Sequence, residues 1–163
     1  MKKIYIAGPD VFEKDSIEIG KRYVKLCSEY GFSGHYPLDN IVDFNQTKQK
    51  IAQDIFLANE KLIDECDIII ANLNLFRGKE ADSGTIWECG YAYAKGKKVY
   101  GYMESTRDYL QEFPMAREEN GQFLDEENRY IEDFNYPINL MIACSTIKIV
   151  AGNFENVLKL IKE

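Results

Sequence analysis

The sequence is short of the residues that build metal centres and nucleophile triads. It has one histidine, His35, and four widely spaced cysteines (Cys27, Cys66, Cys89 and Cys144), with no CxxC pair and no Cys/His cluster. That distribution argues against a zinc site. It is not the pattern of a disulfide framework either, and a chain of 163 residues does not need one. A single histidine beside the PLDN turn leaves no credible Ser/His/Asp set. No G-x-x-x-x-G-K-[ST] stretch occurs, and the loop GPDVF lacks the glycine fingerprint of a dinucleotide site. Asp10 and Glu13 in and beside that loop would repel a phosphate. No apolar run is long enough to span a bilayer, and the one in MKKIYIAG is too short for a signal peptide. Cationic side chains are in the minority, 20 Lys and Arg against 27 Asp and Glu, for a formal net charge of -7. This disfavours nucleic acid and anionic membranes as partners and suits a small neutral or cationic ligand. The expected location is cytoplasmic, with reduced thiols.

What is present is ordinary for a soluble globular protein, 45% hydrophobic and 29% charged, with the length of one domain spanning 1–163. KIYIAG (Lys3 to Gly8) is a short β-favouring run closed by Gly8-Pro9. A helix pattern follows, with Ile19, Tyr23, Leu26, Cys27 and Tyr30 on one face and Gly31 as its stop. A short strand is expected near GHYPLDN. A second helix runs from about Thr47 to Glu65, with a stripe of Ile51, Ile55, Ala58 and Leu62. DIIIANL (Asp67 to Leu73) is the clearest buried strand, KVYGYM (Lys98 to Met103) a fourth, and TIKIV (Thr146 to Val150) a fifth. NFENVLKLIKE closes as an amphipathic helix. Strands alternating with helices predict an α/β domain: a flavodoxin-like, doubly wound, five-stranded parallel sheet. Ligands in such sheets bind beyond the carboxyl ends of the strands at the switch point. Glu104 to Asp133 breaks the rhythm. Its ten acids and three arginines show little periodicity, and it reads as a solvated acidic loop or a lid.

Between DIIIANL and KVYGYM lies KEADSGTIWECGYAYAKGKK (Lys79 to Lys98). Its centre has a helix composition that is apolar on nearly every side, which normally means burial. Glu88 is the ionisable residue among Ile86, Trp87, Cys89 and Tyr91. It has two readings. Thr85-Ile86-Trp87-Glu88 fits a capping box, with Glu88 reaching back to the Thr85 N–H. If Asp82 or Ser83 is the cap instead, Glu88 lies a turn inside, in a pocket wall. There the helix dipole would favour an ionised carboxylate suited to nucleophilic attack. Asp82 is either an N-cap or the second of a carboxylate pair that divides nucleophilic and proton-handling work. Tyr5 is a core residue or a phenol reaching the crevice. Phe12 is core or a stacking platform. Asn59 is a buried amide at the edge of the second helix's stripe. Arg77 is a surface charge or an anion contact. Asn139 and Met141 stand near the start of a short helix opened by PINLM.

Taken in order, KIYIAGPDVF, PLDN, ECDIIIANL, FRGKEADSGTIWECGYA and PINLM resemble the nucleoside 2-deoxyribosyltransferase family from Lys3 to about Ser145. The D-x-G-x-x-x-E element is Asp82-Ser83-Gly84-Thr85-Ile86-Trp87-Glu88. The resemblance implies transfer of 2-deoxyribose between free purine or pyrimidine bases, with side hydrolysis of 2′-deoxyribonucleosides and no metal or organic cofactor. Glu88 would be the nucleophile at C1′, Tyr5 would hold its carboxylate, and Asp82 would contact the base and help protonate it. Phe12 would line the base pocket. Gly8, Asp39, Asn59, Arg77 and Gly84 would complete substrate binding. Asn139 and Met141 of a neighbouring subunit, in a homo-oligomer of two or six chains, would close the site around the 5′-hydroxyl. Many members carry aspartate where this chain has Asn59, which places base preference in question. Two other functions share this fold: an N-glycosidase of 2′-deoxynucleoside 5′-monophosphates, for which Arg77 and Lys79 would supply cations, and a non-catalytic nucleoside or nucleotide sensor.

Overall fold

The computed structural model of the chain describes residues 1–37 and 43–162. In chain order the elements are β1 (Lys3–Ala7), α1 (Ser16–Glu29), β2 (Ser33–His35), α2 (Lys48–Glu65), β3 (Ile68–Asn72), α3 (Ser83–Ala94), β4 (Lys98–Met103), three short strands β5 (Arg117–Glu119), β6 (Gln122–Leu124) and β7 (Tyr130–Ile131), then α4 (Leu140–Ser145), β8 (Lys148–Ala151) and α5 (Phe154–Lys162). Five strands form one all-parallel sheet in the order β2-β1-β3-β4-β8. The chain runs outward from β1 to β2 on one side and from β3 to β8 on the other. Its switch point is therefore the gap between the carboxyl ends of β1 and β3.

The two-residue period of the strands divides the sheet into two apolar layers. Tyr5, Ala7, Ile69, Ala71, Val99 and Met103 face the side covered by α2, α3 and α4, where Ile63, Cys89, Ala92 and Ile142 pack. Ile4, Ile6, Ile68, Ile70 and Tyr102 face α1 and α5, where Cys27, Phe154, Val157 and Leu158 pack. Burial on both faces explains why the central strands read as unbroken apolar runs. The parity of β1 also aims Tyr5 at α3, and the parallel register Tyr5↔Ile69 fixes how far along the sheet it stands.

Two expectations change. The helix now called α3 is buried along one face only, at Thr85, Cys89 and Ala92. On its other face Trp87 is 45% exposed and Tyr93 59% exposed. Nothing among the described residues covers that face, and its rings instead pack on one another: Trp87 stacks on Tyr91 with centroids 5.2 Å apart and meets Phe56 edge-on at 5.1 Å. In α2, likewise, only Ile63 is fully buried, and Ile55 stays partly open. The acidic segment carries more structure than its composition suggests. It holds a single 3-10 turn (Tyr109–Glu112) and the antiparallel meander β5-β6-β7. Asn120 and Gly121 both have positive φ, 53° and 79°, as a two-residue hairpin turn between Glu119 and Gln122 requires. The Tyr109 N–H donates to the Tyr136 carbonyl at 2.8 Å, tying the segment's beginning to the chain just past its end, and the Tyr109 hydroxyl donates to Glu80, tying it to the loop before α3.

Close packing at the centre of the sheet makes one substitution informative. A Cβ on Gly101 in β4 would lie 2.4 Å from Cδ1 of the fully buried Leu73. Gly101→Ala is expected to destabilise the chain by about 1–3 kcal/mol. The urea midpoint should fall with little change in slope; an unchanged midpoint would mean that this layer has slack.

Candidate active site

Asp82 begins the site. It is the N-cap of α3, and its Oδ2 accepts from both the backbone N–H and the hydroxyl of Thr85, each at 2.9 Å. This settles the local choice: Thr85 is not the cap, and Glu88 does not reach back to it. With Ser83 as first helical residue, Glu88 is the sixth, one turn inside. Helical side chains lean toward the N-terminus, so Glu88 projects over Gly84 and Thr85 toward the strand-end crevice. There the buried Tyr5 hydroxyl donates to Glu88 Oε1 at 2.5 Å.

Burial pushes the Glu88 carboxyl up to about 7, the nearby Asp82 charge adds to the rise, and the Tyr5 hydrogen bond opposes both. Burial is the largest influence on this carboxyl, so its net shift is upward. Burial and the Glu88 charge also raise the Tyr5 phenol far above its ordinary value, so it stays a donor. The pair is therefore a neutral donor holding a carboxylate that ionises near neutrality. No hydrogen bond from the described residues occupies Oε2.

A cleft of about 440 Å³ lies over this carboxylate. Gly8, Phe12, Asn59, Asp82, Gly84 and Glu88, all singled out in the sequence, line it together. A second hollow of about 310 Å³, walled by Phe56 and Trp87, shares Asn59, Gly84 and Glu88 with it. Apart from Thr85, the rest of the larger wall is apolar: Val11, Pro37, Phe44 and Ile55. Such a wall with a few convergent polar groups suits a flat, largely apolar ligand part. None of the four was singled out as a site residue from the sequence: Val11 and Pro37 sit in the motif loops, Ile55 on the half-open stripe of α2, and Phe44 in a loop without a signal. Gly84 keeps the floor low, because a Cβ there would lie 3.2 Å from Asp82 Oδ2.

Arg77, with a left-handed φ of 54°, stacks on Phe76 and Phe12 at 4.6 and 5.1 Å. It does not line the cleft; it is an exposed charge that buttresses Phe12, whose ring also stacks on Phe76 at 5.5 Å. Asp10 is turned behind the cleft. It accepts from Asn72 Nδ2 at 2.9 Å and from the Tyr23 hydroxyl at 3.3 Å, tying the first loop to the end of β3. Gly8 permits that approach, since a Cβ there would meet Asn72 Cβ at 2.8 Å. Asn139 and Met141 do not line the Glu88 cleft of their own chain. Asn139 caps α4, and Met141 is 72% exposed. Asp39 lies outside the described residues. Among the described residues no cluster of His, Cys, Asp or Glu could hold a metal ion, and no helix is long and apolar enough to cross a membrane.

A family model described as nucleoside 2-deoxyribosyltransferase matches residues 4–141. Among solved structures, the chain is similar to a 2-deoxyribosyltransferase from Leishmania mexicana, with a TM-score of 0.77 and 29% identity, covering 99% of this chain and 97% of that one. It shares its fold with a 2-deoxyribosyltransferase from Bacillus psychrosaccharolyticus, at a TM-score of 0.62 and 21% identity, covering 96% and 90%. A curated relative, an uncharacterized protein of Schizosaccharomyces pombe, is 33% identical over 113 residues, which are 65% of this chain and 52% of that protein. The chain thus spans about half the length of that relative.

The Glu88 environment has a thermodynamic signature. The unfolded chain ionises this carboxyl near its ordinary 4.5 and the folded chain near 7, so stability is lost as pH rises across that interval. Glu88→Gln, which removes the charge and keeps an acceptor for Tyr5, should be more stable than the native chain above pH 7 by on the order of 3 kcal/mol. The gain should vanish below about pH 4.5. A gain independent of pH, or none at pH 8, would show that Glu88 is not held in this way.

Proposed function

Since the chain belongs to the nucleoside 2-deoxyribosyltransferase family, we propose that it moves 2-deoxyribose from one nucleobase to another through a covalent deoxyribosyl-Glu88 intermediate. The observation that carries the reading is the Glu88 carboxylate, held on one oxygen by the buried Tyr5 at the switch-point cleft. Oε2 attacks C1′ of a 2′-deoxyribonucleoside while the C1′–N bond breaks. The bonding electrons leave with the base, which takes up a proton delivered by way of Asp82. A second base then attacks C1′ from the vacated cleft, loses its proton along the same route, and releases Glu88 as a carboxylate. Two inversions give net retention, as in retaining glycosidases. Water in place of the base gives slow hydrolysis.

The absence of a 2′-hydroxyl removes an electron-withdrawing group and eases the oxocarbenium-like transition state. Phe12, braced by Phe76 and Arg77, offers the ring face of the base pocket. In this reading the open face of α3 and the exposed Met141 meet a second copy of the chain, whose Asn139 and Met141 close the site around the 5′-hydroxyl. The acidic segment, 104–133, acts as a lid that excludes water. The monophosphate N-glycosidase reading needs a cationic phosphate site at the cleft; Arg77 lies over two phenylalanine rings and Lys79 over Phe113, and neither lines the Glu88 cleft. A sensor would have no use for the desolvated carboxylate.

Mixing the protein with deoxyinosine and free adenine should yield deoxyadenosine, and Glu88→Ala should abolish it. Free hypoxanthine and deoxyribose without a new nucleoside would indicate a hydrolase. The acidic limb of kcat/KM should fall with an apparent pKa near 7. Tyr5→Phe should move that limb to higher pH, because the lost hydrogen bond is the one influence lowering it; an unmoved limb would free Tyr5 of the role. Excising the meander, 116–130, should raise the share of deoxyribose lost to water, and an unchanged share would remove the lid.

A further inference from the structure

The last acids of the inserted segment stand directly behind Asn139. Glu132 takes two hydrogen bonds from the entrance of α4: Oε1 accepts from Asn139 Nδ2 at 2.6 Å and Oε2 from the Leu140 N–H at 2.8 Å. Asn139 Oδ1 in turn accepts from the Met141 N–H at 3.0 Å. The amide is thereby fixed in one orientation, its NH2 against a carboxylate and its oxygen against a backbone N–H. One N–H and one lone pair of the amide remain, a pairing matched to a hydroxyl, which both accepts and donates.

The carboxylate behind this amide has no ion-pair partner among the described residues: no lysine or arginine forms an ion pair with Glu132. Arg129, which lines the same hollow of about 450 Å³, is already paired with Asp125 at 3.0 Å and Glu127 at 2.6 Å. Lys79, on the hollow's other side, lies over the Phe113 ring at 4.2 Å. A phosphate ester brought to Asn139 would meet an acceptor oxygen and an uncompensated carboxylate. Such like-charge contact is a common way to reject the wrong partner.

We propose that Glu132 determines the specificity of the site for the 5′ end of its substrate, orienting Asn139 toward a free 5′-hydroxyl and rejecting a 5′-phosphate by its charge. The inference rests on the deoxyribosyltransferase reading, in which Asn139 meets the sugar. It assigns the choice between nucleosides and nucleotides to a residue of the insertion, outside the Glu88 cleft.

The test is a ratio of kcat/KM values, for deoxyinosine 5′-monophosphate over deoxyinosine with adenine as acceptor, in the full chain and in Glu132→Gln. The ratio is insensitive to the fraction of folded protein, so a damaged α4 cap does not mimic the effect. The native ratio should be far below one, and Glu132→Gln should raise it by about tenfold or more. A companion series with 2′,5′-dideoxyinosine should show little loss in the variant, because that substrate has no hydroxyl for Asn139 to hold. Equal loss on all three substrates with an unchanged ratio would make Glu132 a structural cap and overturn the proposal. So would a native protein that uses the monophosphate as readily as the nucleoside. A native protein that turns over neither would remove the transferase reading, and this inference with it.

Discussion

The hydrogen bond from Tyr5 to Glu88 joins the first strand to the third helix, and the chemistry of the cleft depends on it. The carboxylate sits where burial opposes its charge. The phenol is the group that opposes burial, and it is a donor because the same surroundings keep its own proton in place. Burial is the main cause of both altered acidities; the Glu88 charge adds to the rise of the phenol, and the phenol's hydrogen bond tempers the rise of the carboxyl. The arrangement keeps an anion in a largely apolar cleft at a pH where cells operate, which a solvent-exposed glutamate achieves only with its reactivity quenched by water.

Much of the fold can be understood as the scaffold of that contact. β1 must enter the sheet with Tyr5 on the α3 side, and a slip of one residue would send the phenol into the opposite layer, beside Phe154. The parallel registers with β2 and β3 prevent the slip. The Asp10–Asn72 bond then ties the loop after β1 to the end of β3, so that Gly8 and Phe12 hold their places at the cleft's rim. Asp82 serves two ends at once: it caps α3 and thereby sets the turn from which Glu88 projects, and it contributes a second carboxylate to the cleft. A change at Asp82 therefore disturbs both helix and site.

The five-stranded α/β architecture was legible because buried parallel strands write themselves as apolar runs, and KIYIA and IIIAN are such runs. The cluster of Gly8, Phe12, Asn59, Asp82, Gly84 and Glu88 followed from strand-end loops and one motif. Other features had no one-dimensional signal. Whether Asp82 or Thr85 caps α3 is a question of backbone geometry that both sequences of atoms satisfy on paper. Asp10 looked like a ligand-facing charge because its partners, Tyr23 and Asn72, are 13 and 62 residues away. Val11, Pro37 and Phe44 come from loops without periodicity. The Asn120-Gly121 turn, by contrast, was readable as a hairpin signal and was masked by the surrounding acids. The apolar composition of α3 signalled burial that the described residues do not supply, since Trp87 and Tyr93 remain open.

The account stands on Glu88 as a nucleophile rather than a buried counter-charge. Intact-mass analysis after rapid mixing with deoxyinosine alone, without an acceptor base, followed by acid quench and peptide mapping, addresses that point. The account predicts a transient gain of one deoxyribosyl group on the peptide carrying Glu88, discharged when adenine is added. Base exchange that proceeds with no adduct, or with the adduct on another residue, would contradict it.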